Sequence, residues 1–99
     1  MANAMTSGQR QLGSVTRLVT NRGYGFARGE VDRVAYFFHA SEVNDFDALN
    51  ARCVERQYRE QRDGSLVLAD ITHAVRVAFT PSAKADRGPR AVDIQLVTT

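Results

Sequence analysis

Tyr24 and Phe26 stand two residues apart in the stretch NRGYGFARG (21–29), with Gly23 and Gly25 beside them and Arg22 and Arg28 outside. A second aromatic run, VAYFFHA (34–40), follows and ends near His39. A core strand favours bulky branched neighbours over glycine, and a turn has no use for two rings. Rings spaced by glycine and fenced by arginine suit one chemistry well. Flat π-faces stack on unpaired bases, each worth about 1–3 kcal/mol by alanine substitution, while guanidinium groups neutralise phosphates. A duplex hides its base faces, so the ligand expected is single-stranded RNA or DNA.

Other chemistries fit the residues poorly. The glycines at 23, 25 and 29 miss the G-x-G-x-x-G spacing, and no Lys-Ser/Thr pair follows them, so a phosphate-binding loop of that kind is not expected. His39 lies near Ser41, and Asp70 near His73, but neither pair has a third catalytic member or a further ligand cluster in view. Cys53 is the single cysteine, so no intrachain disulfide forms, and with two histidines it falls short of a four-ligand zinc site. A non-enzyme without metal or cofactor is expected, in a reducing compartment such as the cytoplasm.

The net charge is only +2, but its distribution is uneven. Arg10, Arg17, Arg22 and Arg28 lie in 9–28 without an acid. The segment 29–75 sums to −4, and 76–90 sums to +3 through Arg76, Lys84, Arg87 and Arg90 against Asp86. If the fold brings the two basic segments together, one positive face results.

Ninety-nine residues, 43% of them apolar, allow one domain with one modest core. No apolar run is long enough to cross a membrane, so no membrane partner is expected. Residues 1–11 are small and polar, show no secretory signal and read as a flexible tail, with one domain over 12–99. Strand character appears at 13–19, 24–28, 34–40, 75–79 and 90–97, with a turn at 29–33 and a loop at 80–89. In 90–97 the alternation puts Val92, Ile94 and Leu96 on one face. Residues 45–62 favour a helix, with Phe46, Leu49 and Cys53 on one stripe, Glu55 and Arg59 paired at i,i+4, and Gly64 as the stop. Asp63-Gly64 is also a hairpin signal, the alternative to the favoured helix. Five short strands with one long connection predict an all-β fold, a small five-stranded antiparallel barrel of the OB type, with a helix or hairpin between the third and fourth strands.

Parity then sorts the rings. Tyr24 and Phe26 share one face of the second strand, and Gly25 and Ala27 the other, where small side chains suit a tight interior. On the third strand Phe37 and His39 oppose Tyr36 and Phe38. If the two strands are neighbours, Tyr24, Phe26, Phe37 and His39 form one exposed patch beside Arg17, Arg22 and Arg28. The glycines would also let a ligand backbone approach between the rings.

These motifs resemble the cold-shock domain family. RGYGFA (22–27) is similar to its first nucleic-acid-binding motif, K-G-F-G-F-I, and YFFHASEV (36–43) to its second, V-F-V-H-F-S-A-I. VRVAF (75–79) and RGPRAVDI (87–94) resemble its closing segments. The resemblance covers 13–49 and 75–97 and leaves 50–74 unmatched, as an insertion. It implies a five-stranded OB barrel that binds single-stranded nucleic acid as an RNA chaperone or as a regulator of transcription or translation, without a cofactor. It implies stacking by Tyr24, Phe26, Phe37 and His39, a further ring at Phe46, a basic contact at Arg22, and cations at Arg87 and Arg90. Arg17 stands where the family usually has tryptophan, and Ala40 where it has another ring. Arg17 can still lie on a base or hold a phosphate. Some domains of this type serve mainly as protein-interaction modules, which is the alternative reading.

Overall fold

The computed structural model describes residues 10–82 and 88–97. Strand β1 (Gln11–Val19) leads through a 3-10 turn (Thr20–Arg22) into β2 (Tyr24–Gly29), and a tight turn leads to β3 (Ala35–His39). After a second 3-10 turn (Ala40–Glu42) come helix α1 (Phe46–Glu55) and the two-residue strands β4 (Arg59–Glu60) and β5 (Leu66–Val67). A third 3-10 turn (Ile71–His73) precedes β6 (Arg76–Ser82) and β7 (Arg90–Leu96).

Five strands close on themselves: β1 pairs with β2, β2 with β3, β3 with β7, β7 with β6, and β6 with β1. The closing β3–β7 contact is parallel, whereas the other four are antiparallel. Strands β5 and β4 extend the sheet outward from β1. The expected all-β OB-type barrel is therefore present. The helix and the hairpin, weighed as alternatives, both form in the β3–β6 connection.

The core holds Val15, Leu18, Ala27, Tyr36, Phe38, Val77, Phe79 and Ile94 from the barrel, with Leu49, Cys53 and Tyr58 from the connection. Tyr36 and Phe79 pack with centroids 4.9 Å apart. Burying one such ring contributes about 1.5–3 kcal/mol. The Tyr36 hydroxyl donates to Asp32. Burial works against the Asp32 charge, yet the bonds from Tyr36 and the Val34 N–H leave its carboxyl below the usual range.

Two bulges decide which residues face inward. The β1–β2 register runs Val15–Ala27 and then Arg17–Phe26, one residue out of step. Strict alternation would turn Arg17 inward with Val15; the bulge leaves Arg17 exposed and Leu18 buried. In β7 the register slips between Ala78 and Thr80 of β6, and Asp93 takes a positive φ of 52°. Ala91 and Ile94 are thus both buried, while Val92, expected beside Ile94, is only half-buried.

The connection differs from expectation in extent. Asp45 caps α1 by accepting from the Ala48 N–H at 3.0 Å, and Leu49 and Cys53 form its buried stripe. The helix ends at Glu55, well short of Gly64, because Gln57 is left-handed (φ 63°) and turns Tyr58 into the core. Arg59 therefore lies on β4, and Glu55 pairs with Arg52 at 3.5 Å instead. The Tyr58 hydroxyl donates to Val15 O at 2.5 Å and accepts from Val75 N–H at 2.9 Å, tying the connection to the barrel where β1 parts from β6. Burial pushes the Cys53 thiol up to about 12, so it is an inert packing group.

At the ends, Arg10 bonds Asp93 and Thr80 and Gln11 begins β1, so these two residues of the expected tail belong to the barrel; residues 1–9 of it lie outside the described residues. Strand β6 runs on to Ser82, into the segment expected as loop.

Candidate nucleic-acid interface

Strands β2 and β3 pair in the register Tyr24–His39, Phe26–Phe37 and Arg28–Ala35. Partners in register share a face, so four of the predicted residues come together on the outside of the barrel. Tyr24, Phe26 and Phe37 form a triangle with centroid separations of 6.1, 5.6 and 5.7 Å. All three are only partly buried, and His39 is exposed. Between them on the inner face lie Gly25, Ala27, Tyr36 and Phe38, all buried.

The glycines serve the scaffold. A Cβ on Gly25 would lie 2.6 Å from Phe38 Cζ and 2.8 Å from Arg17 O, so the missing side chain makes room for the inner ring. Gly23 is left-handed (φ 73°) and closes the 3-10 turn between β1 and β2. Its carbonyl accepts from Ala40 N–H at 2.8 Å, which joins this turn to the end of β3. The two glycines thus have structural roles of their own, Gly25 admitting the inner ring and Gly23 closing the turn.

His39 is oriented by its own turn. Its Nδ1 accepts from Ser41 N–H at 3.1 Å and lies 2.9 Å from Ser41 Oγ. With Nδ1 accepting, the ring proton sits on Nε2, a donor free to meet a base edge or phosphate. The His39–Ser41 contact is thus a cap that holds the ring in place.

The cations divide into two groups. Arg90 lies opposite Phe37 on β7, with its guanidinium carbon 5.5 Å from the ring centroid. Arg22 ends the 3-10 turn beside Gly23, exposed and without a carboxylate partner among the described residues. Arg28 continues the Tyr24–Phe26 face and, among the described residues, reaches only the Arg33 carbonyl, at 3.5 Å. Arg17 lies next to Phe26 in register but is paired with Asp63 at 3.2 Å. Arg10 and Arg76 are held by Asp93 and Glu30, at 3.1 and 2.7 Å. The fold does bring the two basic segments together, because β1 borders both β2 and β6, but the free positive charge is narrower than their sum.

Phe46 begins α1 and packs part-buried against the core, apart from the ring triangle. Arg87 lies outside the described residues. The hairpin tip, by contrast, meets Arg17, the register partner of Phe26. Asp63 accepts from Ser65 Oγ at 2.7 Å and Ser65 N–H at 2.9 Å, and its carbonyl accepts from Asn21 Nδ2 at 3.1 Å. The Ser65 bonds, helped by Arg17, hold the Asp63 carboxyl below the usual range. Among the described residues no group of three or more His, Cys, Asp or Glu is placed to hold a metal, and no helix is long and apolar enough to cross a membrane.

A closed five-stranded OB barrel with two aromatic strands side by side defines the architecture. The fold is that of cold-shock domains: over 91% of its length the chain is similar to the solved structure titled "drosophila Unr CSD456", with a TM-score of 0.53 and 22% sequence identity. It spans 27% of that chain. No family model and no curated protein matches the sequence.

Proposed function

We propose that this chain binds single-stranded RNA or DNA by stacking unpaired bases on Tyr24, Phe26 and Phe37, with His39 at the edge of the patch. Arg22, Arg28 and Arg90 contact phosphates. The observation that carries the reading is the ring triangle on the outer face of β2 and β3, built while the inner face of the same strands fills the core. Rings left part-exposed at this density cost solvation that a base stack recovers. The role that follows is that of a cytoplasmic RNA chaperone or regulator of transcription or translation, acting by binding and without catalysis or cofactor. The fold neighbour supports a nucleic-acid-binding domain type.

Titration with a single strand and with the duplex of the same sequence, at two salt concentrations, tests this. The single strand should bind more tightly. Its log affinity should fall against log salt with a slope of about −2, from roughly three phosphate contacts at about −0.7 each. Equal or tighter duplex binding overturns the proposal. Absence of binding to either would favour a protein-interaction module.

A further inference from the structure

We propose that the β4–β5 hairpin widens this platform, so that a bound single strand continues from the rings past Arg17 onto Arg59. The inference rests on the proposed function and adds a second stretch of surface to it. Its basis is the strand register. Arg90 pairs with Phe37, Phe37 with Phe26, Phe26 with Arg17, Arg17 with Val67, and Val67 with Arg59. One uninterrupted row of side chains therefore crosses six strands on the outer face. Five inter-strand steps of about 4.8 Å give a row of roughly 24 Å along the surface.

The adjacent row fixes the polarity of the hairpin. Glu60 pairs with Leu66, Leu66 with Leu18, Leu18 with Gly25, and Gly25 with Phe38. That row is the inner one: Leu66, Leu18, Gly25 and Phe38 are all buried. Of the two residues of β4, the arginine thus falls on the ring side and the glutamate on the other. Arg59 is exposed and has no carboxylate partner among the described residues. The nearby acid, Asp63, is already balanced by Arg17 and engaged by Ser65. A polyanion meets positive charge unpaired among the described residues at both ends of the row, Arg90 and Arg59, with the balanced Arg17–Asp63 pair between them.

The hairpin is also a fixed part of the sheet. Leu68 N–H donates to Thr16 O at 2.9 Å, Asn21 holds the tip at Asp63, and Tyr58 anchors its first strand through Val15. A surface already in place binds without an ordering cost.

The test uses the full chain and oligothymidylates of about 4 and about 12 nucleotides, within the range one OB barrel accommodates. The salt slope is the readout, because longer strands gain affinity statistically whether or not they touch the hairpin. For the wild type the slope should be steeper with the longer strand. Arg59→Ala should make the long-strand slope shallower by about 0.7 and leave the short-strand slope unchanged, and Arg59→Lys should restore it. Equal wild-type slopes at both lengths, or an unchanged long-strand slope in Arg59→Ala, overturn the extension while leaving ring binding intact. If neither strand binds, the proposed function falls and the extension with it. A melting curve for each variant confirms that the exposed substitution leaves the fold in place.

Discussion

Phe37 and Phe38 are neighbours in sequence and lie on opposite faces of β3. Phe38 is fully buried against the backbone at Gly25, whereas Phe37 stands part-exposed among Tyr24, Phe26 and Arg90. The same residue type thus does two jobs, and the choice is made across the strand pair. Where the partner strand offers glycine, the ring goes inward and fills the barrel. Where it offers another ring, the aromatics accumulate outside, where packing does not need them. Residue type alone says little about a site; type read together with the residue opposite says much more.

The inner face should respond most to damage. Phe38→Ala should cost about 3–5 kcal/mol of stability by leaving a cavity. That is a large share of the roughly 5–15 kcal/mol available to a folded domain. Denaturant unfolding measures it, and a loss below about 1 kcal/mol would mean that the inner ring is not part of the core. Gly25→Ala should come next, at about 1–3 kcal/mol. The added methyl meets Phe38 Cζ and, less avoidably, the Arg17 carbonyl at 2.8 Å, which belongs to the β1 backbone. An unchanged unfolding midpoint for Gly25→Ala would show that the glycine is not there to admit Phe38.

The ring face and the barrel were legible in the sequence because β2 and β3 are short, regular and free of bulges, so parity carried directly into space. The same reasoning failed at Val92, which leaves the Ile94 face because Asp93 is left-handed. Arg17 lies on the outer face as expected, but it reaches that face through the β1 bulge, which strict alternation does not contain. In the β3–β6 connection local propensity pointed to a helix, and a helix forms, but the burial of Tyr58 ends it at Glu55 and frees Arg59 for a strand. The Asp63-Gly64 turn was visible locally. Its docking beside Arg17 depends on Asn21, far away in sequence, and no local pattern signals it. Arg90 lies over Phe37 because the barrel closes with a parallel pair, again a long-range fact.

The outer face carries the central claim, that its rings stack on unpaired bases. The most direct measurement compares wild type and Phe37→Ala on two ligands: a single strand, and a strand of the same length lacking its bases. The account predicts that Phe37→Ala weakens binding to the first by about 1–3 kcal/mol, roughly 5- to 150-fold. It also predicts equal binding of both proteins to the baseless strand, and an unfolding midpoint that moves far less than for Phe38→Ala. Equal losses on both strands would mean that Phe37 only supports Arg90 at a phosphate, and no loss on either would place the ligand elsewhere. Either result would contradict base stacking as the purpose of the outer face.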